Sequence, residues 1–432
     1  EINENSELVK QWLSDPRQKP KNSGSVKPPL DGIKVVEIAT IIAAPLGSSF
    51  LADMGAEVIK IEPVGGDPFR GLLMGLGSAR VNGGKRSIGL NLKSDEGKQI
   101  VLDLIKSADV LIHNFRPGVP ERLGIGYDKV SELNPSIIYL QSNGYGPDGP
   151  GALRPSTHPI PGAAMGGVVY QMGEKLPSEV QDMENLRLWT KRLMRANEVN
   201  PDPNTAMVVC TSVMLGLMAR KTTGEGQQIF MDMFGANAYA NHDDFLNYPG
   251  KKPRALADDL MHGLNPTYRL YQCDNNEWIF LALVTDREKA RFLEILGKAG
   301  IDCSQLSSSE MEEETVIVKL ADLFKTRSAS DWEGLLAHKG IGCVRADGLT
   351  PSLFWLEDEQ AQSMNLTKNS TYPEWGDYKR HGPTALFSCG VSHLKAAPTG
   401  GQHSEEILGE LGYESTQIEE FIKTGVIWKE VS

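Results

Sequence analysis

No apolar run in this 432-residue chain approaches the roughly 18 residues that a membrane-spanning helix needs, so no membrane span is expected. Cysteine is scarce. There are five, Cys210, Cys273, Cys303, Cys343 and Cys389, odd in number, widely spaced and without a C-x-x-C pair. That usage argues against a disulfide framework or a zinc site and fits small apolar side chains in the reducing cytoplasm. Positive charge is short as well: 44 Lys and Arg face 56 Asp and Glu, a net charge of −12. Such a surface disfavours nucleic acid and anionic membranes as partners. An anionic ligand would have to be bound against the overall field. Aromatic residues are only 7%, but the apolar set reaches 40%, which sets the chain apart from disordered sequences. The length favours more than one core. The chain opens at Glu1 with no visible secretory signal, and residues 1–29 read as a short helix followed by an arm or linker.

What is present begins with IKVVEIA (33–39), an apolar run suited to a strand buried on both faces. A helix from about Pro45 and a second strand, AEVIKIEP (56–63), complete a βαβ unit. SIGLNL (87–92), DVLIHNF (109–115) and SIIYLQSNGYG (136–146) read as further strands, and a helix follows Ser94 with Asp95 and Glu96 in its first turn. The fold class is therefore α/β, with a large Rossmann-like parallel sheet carrying helices on both faces. Helices are expected over 205–222 and 230–248, then a hairpin whose strands, YRLYQC and WIFLALV, flank Asp274-Asn275-Asn276. The last 80 or so residues read as loops and an end pair of helices.

The common chemical signatures are missing. The first strand-to-helix turn, ATIIAAPLG, lacks the G-x-G-x-x-G glycines that let a pyrophosphate approach the backbone. No G-x-x-x-x-G-K-[ST], H-E-x-x-H or G-x-S-x-G occurs, and the eight histidines show no metal-ligand spacing, so no metal is expected.

Several segments stand together instead: LDGIKVVEIATIIAAPLGSSFLADMGAEVIKIEPVGGDPFR, NGGKRSIGLNLKSDEG, ADVLIHNFRPGVPERLGIGYD, LNPSIIYLQSNGYGPDGP, ARKTTGEGQ and APTGGQHSEEIL. In this order the set resembles the family III CoA-transferases, the group of formyl-CoA transferase, carnitine CoA-transferase and α-methylacyl-CoA racemase. The resemblance implies coenzyme A, carried as an acyl-CoA substrate, with a carboxylic acid as its exchange partner. It implies that Ala43, Lys85, Asn114, Phe115 and Arg122 line the nucleotide part of the site. Phe115 would stack on adenine and Asn114 would hydrogen-bond it. Arg86, Arg116 and Val119 fall in the same segments, and Lys85, Arg86, Arg116 and Arg122 are the candidate cations for the phosphates. Ile42 stands where formyl-CoA transferase has a glutamine near the reaction centre, and the family's glycine loop has no counterpart in YPGKKPRALADDLMHGLN.

By the same resemblance Asp202, set ahead of the TTGEGQ that closes a helix, matches the catalytic nucleophile. Read from residues alone, Asp202-Pro203 is equally a helix N-cap with proline at the first helical position. The implied chemistry is covalent, through an aspartyl anhydride and an aspartyl-CoA thioester. His158 opens two other readings. It lies where the racemase branch keeps a histidine that shares acid–base duty with the aspartate, although Pro159 follows it where the racemase has an aspartate. A CoA-binding but non-catalytic partner subunit is the third reading. The apolar residues Met172, Met183, Leu188, Trp189 and Met194 are candidates for an acyl pocket or for plain core. The resemblance implies an interlocked homodimer, with a hetero-oligomer left open. It also implies four segments: the arm at 1–29, the first part of the large domain at 30–235, a small α+β domain at 236–350, and a return to the large domain at 351–432.

Overall fold

The computed structural model describes residues 27–430, apart from 73–74, 173–178, 180–181, 196–200, 242–244, 253–254, 259, 310, 312 and 389. The expected helix in the arm therefore lies outside the described residues.

The first half alternates strand and helix: β1 (Lys34–Ile38), α1 (Ala43–Asp53), β2 (Glu57–Glu62), α2 (Leu76–Val81), β3 (Arg86–Leu90), α3 (Asp95–Lys106) and β4 (Val110–His113). Then come α4 (Val119–Leu123), α5 (Tyr127–Leu133), β5 (Ile138–Asn143), α6 (Pro159–Ala164), α7 (Gly167–Met172), α8 (Met183–Arg195), α9 (Pro201–Thr223), β6 (Gln227–Asp232) and α10 (Met233–Ala240). The six strands pair in parallel in the order β3-β2-β1-β4-β5-β6. Adjacent residues of β1 point to opposite faces. Val36 and Ile38 join the core beneath α3, whereas Val35 joins the core beneath α1 and α9. That two-sided burial explains why the run is apolar throughout. At the start of α3, Ser94 Oγ accepts the Gly97 N–H at 3.0 Å, and Asp95 and Glu96 occupy the favourable first turn.

A second sheet is antiparallel, in the order β10-β9-β8-β7: β7 (Gly263–Asn265), β8 (Tyr268–Gln272), β9 (Trp278–Ala282) and β10 (Gly342–Arg345). Asn275 and Asn276 take left-handed backbone angles in the β8–β9 turn, a conformation asparagine tolerates. Helices α11 (Asp286–Lys298), α12 (Thr315–Phe324) and α13 (Ala329–Leu336) cover this sheet with a separate core around Phe292, Phe324 and Trp332.

The chain then returns through α14 (Pro351–Glu357), α15 (Glu359–Ser363), a hairpin of β11 (Thr367–Tyr372) and β12 (Gly376–His381), α16 (Ser404–Glu410) and α17 (Ser415–Lys423). Its last strand, β13 (Ile427–Trp428), adds antiparallel to β3. Arg380 on β12 donates from Nη2 to both Asp53 carboxylate oxygens, at 2.8 and 2.7 Å, which pins the returning segment to α1.

Two expectations need correction. Residues 230–232 are strand, not helix: Gln227–Asp232 pairs with β5, and the helix starts only at Met233, where Asp232 caps it. The β11–β12 hairpin stands where the sequence predicts loop, because both strands are mostly polar and exposed and carry no apolar period.

Candidate active site

In a parallel α/β sheet the loops beyond the carboxyl ends of the strands form the ligand edge. Here the turn from β1 to α1 lies beside the turn from β4 to α4. Asn114 joins them, accepting the Thr40 N–H at Oδ1 (3.1 Å) and donating from Nδ2 to the Thr40 carbonyl (2.8 Å). Its amide therefore already braces backbone. Phe115 stacks on His113 at 5.5 Å between ring centroids. The Phe115 N–H donates to His113 Nδ1, so Nε2 carries the proton and faces Tyr139 Oη at 2.9 Å. Burial pushes His113 down to about 3, which keeps the ring neutral beneath Phe115.

Ala43 and Val119 begin α1 and α4 on this edge. Arg116 and Arg122 are exposed there: Arg116 donates to the Leu153 carbonyl at 3.0 Å, and Arg122 lies over Gly118. Lys93, exposed after β3 and just ahead of the Ser94 cap, is a further cation on the same edge. The signal that points to it is a basic residue in a strand-to-helix turn.

Two of the expected phosphate ligands, Lys85 and Arg86, are not free cations on this edge: both are engaged by carboxylates. Arg86 starts β3 at the opposite edge of the sheet. Glu57, Glu406 and Glu410 hold its guanidinium at 2.7–3.0 Å, so that charge is already neutralised. Lys85 is inside the protein. Its ammonium donates to Glu37 at 2.6 Å and to the Pro45 carbonyl at 2.7 Å. Burial, against the pull of Glu37, brings Lys85 down to about 8. Lys60 meets the same Glu37 at 2.8 Å and Asp67 at 3.0 Å, and all these side chains are buried. Burial alone would raise the Glu37 carboxyl, but Lys60 and Lys85 hold it at about 2. The cluster lies beneath the β1–α1 turn, where Asp67 also accepts the Ile41 N–H. Ile41 has φ +71°, a strained conformation for a β-branched residue. Ile42 packs against an apolar cluster of Leu46, Phe69, Val81 and Ala206, so no side-chain amide is supplied at that point.

Asp202 lies close by. It belongs to the first turn of α9, one residue inside a helix that starts at Pro201, so it is not the N-cap the sequence suggested. Thr205 Oγ1 donates to the Pro201 carbonyl at 2.6 Å within that turn. The Asp202 carboxylate is buried, with 4% exposed, and faces His158 Nδ1 across 2.8 Å. His158 stands at the N-cap position of α6, and its side chain is one-third exposed. Burial raises the Asp202 carboxyl, and the His158 hydrogen bond and the Arg80 charge pull it back. An attacking carboxylate must be ionised. The rate of acyl capture should therefore fall as pH drops through a midpoint above the ordinary aspartate value of 3.8. His158→Ala should move that midpoint further up, as read from a pH profile of adduct formation.

Helix α9 reaches this position by close packing on α1. A Cβ at Gly47 would lie 2.7 Å from Val209 Cγ1 and 2.9 Å from the Ala206 carbonyl. Gly47→Ala should cost about 1–3 kcal/mol and slow catalysis by shifting the first turn of α9, as measured by urea unfolding and turnover.

Of the candidate acyl-pocket residues, Met172 is buried, whereas Met183 and Leu188 on α8 are exposed, at 64% and 42%. Trp189 stacks with the Arg192 guanidinium at 5.5 Å, and the Met194 side chain lies outside the described residues. Among the described residues no group of His, Cys, Asp and Glu could hold a metal ion. No helix there is long and apolar enough to cross a membrane.

The fold and site together are those of an α/β protein with a buried carboxylate at a helix start and cations on the ligand edge of its parallel sheet. The chain matches CoA-transferase family III over residues 30–404 and belongs to that family. It is an enzyme of the CoA-transferase kind. It is 26% identical to the (R)-2-hydroxy-4-methylpentanoate CoA-transferase of Clostridioides difficile, over 92% of this chain and 99% of that one. It is 27% identical to the alpha-methylacyl-CoA racemase of Mus musculus, over 90% and 95%. A solved CAIB/BAIF family protein from Brucella suis shares the fold, with TM-score 0.69 at 24% identity, over 89% of this chain and 100% of that chain.

Proposed function

We propose that the enzyme moves CoA from an acyl-CoA thioester to a free carboxylic acid, with Asp202 as the covalent acceptor. The observation that carries this reading is the buried Asp202 carboxylate in the first turn of α9, held by His158 Nδ1 at 2.8 Å. In the first step an Asp202 oxygen bonds to the thioester carbonyl carbon and the C–S bond breaks, giving a mixed anhydride and CoA thiolate. The thiolate then bonds to the Asp202 carbonyl carbon and expels the donor acid as its carboxylate. The acceptor carboxylate attacks this aspartyl thioester and releases the thiolate. Finally the thiolate attacks the acceptor acyl carbon and frees Asp202. Each thioester is exchanged for a thioester, so no external energy source enters. His158 Nδ1 holds one carboxylate oxygen and leaves the other to attack. The nucleotide end rests beside Phe115, with the phosphates near Arg116 and Arg122.

The His158–Asp202 pair also fits an α-carbon racemase. Against that stands their direct contact at 2.8 Å, because two bases working from opposite faces need a substrate carbon between them. Mass spectrometry of the chain after incubation with a panel of acyl-CoAs separates the readings. An aspartyl-CoA adduct that hydroxylamine removes supports the transferase. Deuterium uptake at the α-carbon with no adduct would replace it with the racemase, and CoA binding with neither would mark a non-catalytic partner subunit.

We further propose a homodimer. Met207 and Leu215 on α9, Phe230 on β6 and Tyr239 on α10 are exposed around a groove of about 680 Å³. Apolar surface of this extent is the kind a second subunit covers.

A further inference from the structure

The helix that carries Asp202 starts in a register that its own sequence disfavours. A proline ring pushes the residue before it out of the helical conformation. Asp202 precedes Pro203 and is helical all the same, because α9 begins one residue earlier, at Pro201. The other possible start has Asp202 extended as the N-cap and Pro203 as the first helical residue. In that register the carboxylate turns back onto the backbone N–H of Asn204 or Thr205 and leaves His158.

The contacts that hold the observed register come from α10. Asn237 is fully buried there. Its Nδ2 donates to the Pro201 carbonyl at 3.5 Å and to the Met233 carbonyl of its own helix at 2.7 Å. Its Oδ1 accepts from Asn204 Nδ2 at 2.9 Å. One side-chain amide thus grips α9 at positions 201 and 204, on both sides of Asp202 and Pro203. An apolar side chain would fill the same space without needing partners. A buried amide costs free energy unless it is hydrogen-bonded, so its partners select one arrangement of the two helices.

We infer that Asn237 is a positioning residue for the transfer reaction: it keeps Pro201 within α9, so that the Asp202 carboxylate faces His158 and the substrate and does not cap its own helix. The inference rests on Asp202 as the acyl acceptor. Asn204, half-buried, is the second arm of the clamp.

The test follows adduct formation across pH in the wild type, Asn237→Ala and Asn204→Ala, each variant also combined with Pro203→Ala. At saturating acyl-CoA, Asn237→Ala should slow adduct formation by about 100-fold, the scale of a small misplacement of a reacting group. The half-saturating concentration should not change. The midpoint of the pH profile should move down, because a carboxylate that caps its helix accepts backbone N–H groups that favour its charge. Loss of the His158 contact alone would move it up. His158 on the α6 side and the Arg80 charge from α2, the groups that act on Asp202 from its surroundings, are kept in every variant. Asn204→Ala should act in the same sense by a smaller factor, and it carries the test if Asn237→Ala does not fold. Pro203→Ala lifts the restriction on Asp202 and should restore most of the rate in either variant. An unchanged rate, a slower rate with an unmoved or raised midpoint, or no rescue by Pro203→Ala overturns the inference. Carbon-13 NMR of the Asp202 carboxylate, assigned by its loss in Asp202→Asn, reads the midpoint without turnover. If no thioester forms an adduct, the Asp202 reading fails. The clamp then stands if the clamp variants lower that midpoint and Pro203→Ala restores it, and falls if they do not.

Discussion

Replacing Asp202 with alanine should lower CoA transfer by about 10⁴-fold or more, the scale seen when a covalent nucleophile is removed. The aspartyl adduct should vanish from the mass spectrum at the same time. Stability should move the other way. Burial raises the Asp202 carboxyl above its unfolded value, so the ionised group opposes folding at neutral pH. The cost is present at high pH and fades as pH falls through the raised value. Asp202→Asn keeps the shape without the charge, and it should unfold at the same or a higher urea concentration than the wild type while transferring no CoA. A variant that still carries the adduct would sink the mechanism. A variant that loses both activity and stability would assign Asp202 to the scaffold instead.

The second large effect is expected one layer below the site. Glu37→Ala removes the carboxylate that Lys60 and Lys85 share and leaves two buried ammonium groups short of a partner. Breaking a buried ion pair from one side costs about 3–5 kcal/mol. Denaturant unfolding should show that loss. Transfer activity should fall too, because Lys60 also donates to the Ala39 carbonyl at 2.7 Å and Lys85 to the Pro45 carbonyl. Those two carbonyls bracket the turn that holds Ile41 in its strained conformation. Because Glu37 is held at about 2, its contribution is complete above about 4.5 and is lost only as pH falls toward 2. A combined replacement of Glu37, Lys60 and Lys85 by apolar residues of similar volume should recover much of the stability and little of the activity. That outcome would separate the cluster's role in folding from its role in shaping the turn.

The same cluster shows where sequence reading stops. NGGKRS looks like a cationic loop, and nothing in its local pattern distinguishes a lysine aimed at solvent from one aimed inward. The difference lies in Glu37, 48 positions earlier in the chain, which accepts the Lys85 ammonium. Arg86 is decided in the same way by Glu406 and Glu410, which α16 brings back from the far end of the chain.

By itself the sequence determined the alternation of strands and helices, the two-sided burial of the parallel sheet, the β8–β9 turn and the family. Each of these is written in short-range patterns: apolar period, capping residues, turn residues and motif order. It also singled out Asp202, since the motif spacing survives without coordinates. Only the tertiary structure decided which cations are available to an anion, because availability depends on the distance to carboxylates remote in sequence. It likewise decided that Asp202 lies inside its helix and in contact with His158, and that α9 approaches α1 closely enough to forbid a side chain at Gly47. Coulombic neutralisation and close packing act through space, and residues remote along the chain set both.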